Sequence, residues 1–402
     1  MKDPIKKILA VIAMIPAVSL AASCNSAPAA TTTQLPVTSS AAESIAEAVP
    51  AADKTDSMLG RVYIENEKFM VDGKEIWFSG CNTPWYHWND FGGSMNVPGW
   101  EETFARLAED NINCTRVWVN CNGQMIVNLE STGHIHYVKD EHWDDLDKLF
   151  DIADKYGVYV MPTLLSFDHF KNDEEWQTLL QSNELCDEYA EMYVAEFCKR
   201  YGERDCIMGI DLMNEPDWVY ENDECGKIGW EHLSYLFGKC ADVIHSSSSK
   251  LVTVGTGMLK YNSDKYDGNK VSDEYLKQLT GLDGAYLDFY SVHYYDWMMS
   301  WMEMPYDKSP ADFGLPGGKP CMIGEGQNDQ EKKFRMTLTE IYKSMYDHGW
   351  CGMLVWMETH FDEDPIWYGY NLTREATNAM YDYIPDKLFP LGKTAIPEKE
   401  AA

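Results

Sequence analysis

The sequence predicts an α/β protein, a (β/α)8 barrel formed by one domain with a short N-terminal hairpin. Three observations carry this. Eight short apolar runs, rich in Val and Ile, recur between about residue 75 and residue 358. Stretches of helical period separate them. The runs are continuously apolar, not alternating, as strands covered on both faces should be. A doubly wound open sheet shares the alternation of strand and helix, but it would announce a glycine-rich phosphate loop after its first strand. The nearest candidate, FGGSM at Phe91–Met95, lacks the G-x-G-x-x-G spacing. No internal repeat is present.

In order, RVYIENEKFMVDGKEIWFSG from Arg61 reads as a hairpin turning at Asp72-Gly73 and running into a strand. The strands are then EIWFSG, CTRVWVN, VYVMPTLL, IMGIDLM, KLVTVGT, LDFYSVHYY, PCMIGE and GMLVWME. Between them, helical period marks GWEETFARLAED, WDDLDKLFDIADKYG, NELCDEYAEMYVAEFCKRYG, WEHLSYLFGKCADVIHSSS, SDEYLKQL and KFRMTLTEIYKSMYDHG; TREATNAMYDYI closes the series. This barrel is expected to span residues 58–402.

The first 57 residues stand apart. Lys2, Lys6 and Lys7 precede the apolar run Ile8–Ala22, whose 15 residues are too short to span a bilayer comfortably. Residues 1–23 therefore read as an export signal. Its end, LAASC, has the form of a bacterial lipoprotein signal, with Cys24 as the acylated residue, although Ala21 stands where Leu is usual. An ordinary cleaved signal is the alternative. Residues 24–57, rich in Ala, Ser, Thr and Pro, lack apolar periodicity and read as a flexible tether. The expected location is the cell surface or the exterior of a bacterium.

The net charge of −32 argues against a nucleic-acid partner. Removing residues 1–23 takes out three lysines and one aspartate and leaves −34, a charge comfortable for a monomer. The 14 Trp and 24 Tyr suit a site that stacks on sugar faces, and suit a large core equally. Ten cysteines follow Cys24 with no C-x-x-C and no regular spacing, so zero to two disulfides are expected. His134-x-His136 has no further ligands nearby, and neither a metal nor a cofactor is expected.

In a barrel of this kind, chemistry sits at the C-terminal ends of the strands. Those ends carry Asn82, Arg116 and Trp118, Asn214 and Glu215, His293 and Tyr295, Glu325, and Trp356 with Glu358. The run IMGIDLM breaks into Asn214-Glu215-Pro216, which delivers an amide and a carboxyl group to a strand edge; Pro216 ends ladder donation there. Glu215 and Glu325 end strands 4 and 7, on opposite sides of the mouth. Two such carboxyl groups are what glycosidic bond cleavage needs: an acid for the leaving oxygen, and a carboxylate to attack or to activate water. Arg116 and Tyr295 can donate to a carboxylate that must stay ionised, Trp356 offers a wall to a sugar ring, and Asn214 can bond a sugar hydroxyl. Loop aromatics Trp85, His87, Trp88, Trp218, Trp297 and Trp301 are candidate sugar platforms.

The motifs TRVW, DLMNEP, SVHYY, MIGEG and LVWME, in that order, resemble glycoside hydrolase family 5, the retaining endo-β-glycanases of (β/α)8 fold, over roughly residues 60–385. DGKEIWFSGCN is similar to that family's first strand. The resemblance implies Glu215 as general acid/base, Glu325 as nucleophile and Asn214 on the 2-hydroxyl of the −1 sugar. It implies Arg116, His293 and Tyr295 as groups that orient the glutamates, and Trp356 as the −1 platform, with Trp85 and Trp118 among the substrate-binding residues. The family often has a His near the end of strand 3; LLSFDHFK there leaves Asp168 and His169 unassigned, and Glu358 is equally open. The loops NTPWYHWNDFGG and HYYDWMMSW look closer to mannan-degrading members. The expected partner is a polysaccharide, β-mannan first, with cellulose, mixed-linkage glucan and xyloglucan open. A non-catalytic glycan-binding lipoprotein and a transglycosylase are the rival readings.

Overall fold

A computed structural model of the chain describes residues 59–124, 126–266, 268–327, 334–356 and 369–388. The leader, Cys24, the tether and Glu358 lie outside them. Eight parallel strands close into a barrel: β1 Phe78–Asn82, β2 Cys114–Trp118, β3 Tyr159–Thr163, β4 Ile210–Asn214, β5 Val252–Thr256, β6 Tyr290–Tyr294, β7 Cys321–Gly326 and β8 Gly352–Val355. Each pairs with its sequence neighbours, and β8 pairs with β1 to close the ring. All eight are buried along their whole length, which is why the sequence shows unbroken apolar runs and not an alternating pattern.

The longer helices are α1 Val97–Glu109, α2 Asp140–Tyr156, α3 Asn183–Tyr189 continued by Ala195–Tyr201, α4 Trp230–Ser247, α5 Asp273–Thr280, α6 Leu338–Asp347 and α7 Tyr370–Tyr383; short ones span Glu174–Leu180, Asp217–Glu221 and Pro385–Leu388. In α1 the Asn96 side chain accepts from the Gly99 N–H, Pro98 sits in the first turn, and Trp100, Phe104 and Leu107 bury one face. Gly157, at φ 66°, ends α2 in the left-handed conformation that glycine takes without strain. A π-turn over Ala190–Val194 interrupts α3, which the sequence reads as one regular helix.

Two details differ from the sequence reading, and one, the helix-free crossing after β6, agrees with its series of helical stretches. The N-terminal hairpin is a three-stranded antiparallel sheet, Tyr63–Glu65, Lys68–Val71 and Lys74–Glu75. Its first turn, Asn66-Glu67, has positive φ at both residues, and a glutamate there conceals the turn. No α-helix follows β6; two 3₁₀ turns, Asp296–Ser300 and Pro310–Phe313, cross back to β7. The loop after β2 contains a hairpin, Val127–Leu129 with Ile135–Val138. All ten cysteines of the described residues are buried and free. Among the described residues no helix is long and apolar enough to cross a membrane.

Candidate active site

Parallel register brings the strand ends together. Asn82 of β1 lies beside Arg116 of β2, and His293 of β6 lies beside Glu325 of β7. Arg116 is fully buried and spends its fork on four acceptors. Nε donates to Asp211 Oδ2 at 2.8 Å, Nη1 to Glu325 Oε1 at 2.6 Å and to Asn82 Oδ1 at 3.0 Å, and Nη2 to Asn214 Oδ1 at 2.9 Å. A rigid, planar, always-charged donor is the side chain suited to that task. Asn82 turns its amide N–H groups to the Gly324 and Val355 carbonyls, at 2.9 and 3.1 Å, and so ties β1 to β7 and β8.

Glu215 follows β4. Its N–H donates to the Gly255 carbonyl at 2.7 Å, and its φ is 48°. A left-handed glutamate costs on the order of 1–3 kcal/mol, and strain of this kind concentrates where a side chain must be aimed. Trp218 Nε1 donates to Glu215 Oε2 at 2.8 Å, and His293 Nδ1 stands 3.0 Å from Oε1. The same Nδ1 is 3.4 Å from Glu325 Oε2, which also accepts the Tyr295 hydroxyl at 2.9 Å. Glu215, His293 and Glu325 thus bring an oxygen or nitrogen each within 4.8 Å of the others, the one group among the described residues crowded enough for a metal. Arg116 already supplies a cation against Glu325 there.

The two glutamates have different surroundings. Burial pushes Glu215 up to about 7, with the Trp218 N–H and Arg116 pulling the other way. Burial lifts Glu325 too, and Glu215 adds to it, but His293, Arg116 and the Tyr295 hydroxyl oppose the rise. Burial pushes His293 down to about 4, so the ring is neutral near neutral pH. With Glu325 ionised, the ring proton belongs on Nδ1. Burial, and the negative charge of Glu325 beside it, hold the Tyr295 hydroxyl well above its usual range, so it stays a donor. Burial disfavours the charge on Arg116, but Asp211 and Glu325 outweigh it.

Indoles line both sides. Trp118 and Trp356 are buried against each other with ring centres 5.9 Å apart, and Trp85 packs on both at 5.2 and 6.1 Å. On the Glu215 side, Trp218, Trp297 and Trp301 step outward with 6.3 Å between successive ring centres. His87 and Trp88 are exposed on the loop after β1.

The model of the family Cellulase (glycosyl hydrolase family 5) matches residues 70–359. The chain belongs to glycosyl hydrolase family 5. It is similar to a mannan endo-1,4-beta-mannosidase of Mytilus edulis, 23% identical over 328 residues that span 74% of this chain and 88% of the relative. A second such protein, from Cryptopygus antarcticus, is 22% identical over 321 residues, 72% of this chain and 82% of the relative. Among solved structures, a beta-1,4-mannanase from the sea hare Aplysia kurodai shares the fold with a TM-score of 0.71 at 24% identity, over 82% of this chain and 99% of that one.

In this family 5 chain all nine strand-end and loop residues singled out for catalysis or substrate binding meet at one end of the barrel, around Arg116. Sequence reasoning missed three others. Asp211 is fully buried and holds Arg116 from beneath, accepting also from Thr163 Oγ1 and the Gly255 N–H at 3.0 and 2.8 Å. A lone Asp inside IMGIDLM is the signal for it, since a charge in an apolar strand needs a partner. Asn82, read only as a strand end, braces three strands. Trp218, read as a platform, hydrogen-bonds Glu215. His169 is buried, and its Nδ1 stands 3.1 Å from the Ser166 backbone, capping a short 3₁₀ turn. His134 and His136 are exposed beside Glu188 and Glu130, at 2.7 and 3.6 Å.

Proposed function

We propose that this glycoside hydrolase is an exported, retaining endo-β-1,4-mannanase. The observation that carries the mechanism is the close approach of the two glutamates, with carboxyl oxygens within 4.8 Å. Retaining enzymes hold the pair about 5–5.5 Å apart, whereas inverting ones leave about 6.5–9.5 Å for a water. Glu325, ionised beside Arg116 and Tyr295, attacks the anomeric carbon as Glu215 gives its proton to the glycosidic oxygen. The C–O bond breaks, the aglycone leaves as an alcohol, and a glycosyl ester of Glu325 remains. Glu215, now a carboxylate, takes a proton from water; the hydroxide attacks the same carbon, the ester bond breaks, and Glu325 is regenerated with net retention. Asn214, its carbonyl oxygen engaged by Arg116, keeps its amide N–H groups for a sugar hydroxyl. Mannan as substrate is supported by the names of the relatives above, together with the aromatic loops after β1 and β6.

The test is sugar release from a panel of β-glycans, with product anomers followed by NMR. Mannan should be cleaved fastest, with the β-anomer formed first. E215Q and E325Q should each lose at least about 10³ in kcat, and loss below tenfold with either would defeat the assignment. Release from cellulose or mixed-linkage glucan alone would make this a β-glucanase of the same family; glycan binding without turnover would make it a binding lipoprotein; transfer to added manno-oligosaccharides would reveal transglycosylation. Export rests on residues 1–23, with a lipid on Cys24 and residues 24–57 as tether. Fatty-acid labelling lost in C24A checks the anchor.

A further inference from the structure

Two carboxyl groups leave the end of β4, and the chemistry above uses only Glu215. Asp217 is fully buried. Its Oδ1 accepts the Gly257 N–H at 2.8 Å, whereas Oδ2, also buried, has no partner. Among the described residues Asp217 has no ion pair. A carboxylate with one bare, buried oxygen is a costly arrangement, and an un-ionised acid avoids that cost. The charges facing it are negative: Glu215 ahead, and Glu221 on its own turn, which is held by Lys260 and Tyr261 at 3.0 and 2.6 Å. Beyond β5 the Gly257 N–H reaches it, and the helix that it opens, Asp217–Glu221, packs on the turn Phe167–His169, which carries Asp168 and the buried, neutral His169. Burial, and then Glu215, hold the Asp217 carboxyl well above its usual range.

The packing is specific. A Cβ at Gly257 would lie 2.9 Å from Asp217 Oδ2 and 3.1 Å from Glu215 Cδ, so both carboxyl groups close on the same spot of backbone. Two hydrogen bonds hook the end of β5 and the residue just beyond it on either side of Pro216: Glu215 N–H to the Gly255 carbonyl, and Gly257 N–H to Asp217. Glu215, at φ 48°, is held between them.

We propose that Asp217 is a positioning residue: as an un-ionised carboxylic acid it clasps the segment after β5 and keeps Glu215 in its left-handed conformation, aimed at the leaving oxygen. This rests on the reading of Glu215 as acid/base. Its loss should slow the first step only where the leaving group needs a proton, and should slow hydrolysis of the glycosyl ester, where Glu215 is the base, for every substrate.

The experiment compares D217N, D217L and G257A on mannan and on an aryl β-mannoside whose leaving group departs without a proton. D217N is neutral, as the acid is, and should keep kcat on mannan within about twofold, with the basic limb of the pH profile unmoved. D217L should lose about tenfold or more in kcat/KM on mannan and keep kcat/KM on the aryl mannoside, whose first step needs no proton, while its aryl kcat falls because the glycosyl ester is released slowly. If D217L does not fold, G257A, which presses on both carboxyl groups, should show the same selective loss. The proposal is overturned if D217N lowers the basic limb by about half a unit or more, because Asp217 then carried a charge. It is overturned equally if D217L, or G257A in its place, keeps full kcat/KM on mannan or loses kcat/KM alike on both substrates. E215Q on the same two substrates separates the two ideas: if it still cleaves mannan, the acid/base reading fails on its own account.

Discussion

On the floor of the cleft, Arg116, Asp211, Asn82, Asn214, His293 and Glu325 are buried, and each holds a polar partner drawn from another strand. On the rim, Trp88, Trp297 and Trp301 stand 43%, 45% and 42% exposed on loops, and their ring neighbours are other indoles or a lysine. The contrast separates two demands. Bond cleavage tolerates errors of a fraction of an ångström, so its groups belong on strand ends locked by the barrel ladder. Holding a polymer tolerates more, so its platforms can sit on loops. Floor changes should therefore act on kcat and rim changes on KM.

The sharpest way to break that division is at Arg116. R116A leaves Asp211 and Glu325 buried without their cation, and breaking a buried pair costs about 3–5 kcal/mol of stability. Activity should fall by at least about 10³, because Glu325, the nucleophile proposed above, loses its main counter-charge. R116K is the more informative variant: a lysine is one point charge and cannot serve four acceptors in a plane. We expect R116K to fold, by circular dichroism melting, and still to lose more than about 10² in kcat/KM on mannan. A lysine variant with near-native turnover would mean that the floor needs charge and not geometry.

Tyr295 gives a smaller effect with a defined sign. Its hydroxyl stabilises ionised Glu325 at 2.9 Å. Y295F removes that donor, so the Glu325 carboxyl should rise further. On the proposed mechanism, activity requires Glu325 ionised and Glu215 protonated. The acidic limb of the kcat/KM profile should therefore move to higher pH, while the basic limb, set by Glu215 near 7, should hold. We expect a loss of about 10²-fold at the optimum. A profile whose basic limb moves instead would assign the hydroxyl to the other glutamate.

The same contrast explains what was legible in the sequence. Strands covered on both faces must be apolar throughout, so the polar residues at their ends stood out: Asn214-Glu215, His293, Glu325. Features decided by three-dimensional context were hidden. Asp211 sits mid-strand and was passed over as one acid among many, although its burial demanded Arg116. Trp218 could be read as aromatic, but only the strained turn at Glu215 makes its N–H a partner for the carboxyl group. Asp217, two residues further on, carries no signal in the sequence of the burial that sets it apart.

The smallest expected effect lies on the rim, at Trp301. Its ring is the last in the series of contacts Trp218, Trp297, Trp301, and Lys260 Nζ lies 5.6 Å from its centre. Its exposed face can meet sugar with little burial of its own, and an aromatic contact of this kind is worth about 0.5–1.5 kcal/mol. W301A should therefore raise KM on mannan by about three- to tenfold and leave kcat unchanged, the pattern of lost uniform binding. Because the ring stands on the side of Glu215, from which the leaving chain departs, the effect should vanish on substrates too short to extend past Trp218. Measuring KM along a series of manno-oligosaccharides tests both points. A kcat that falls with chain length would show that loops also steer the reacting atoms, and the division between floor and rim would then be one of degree.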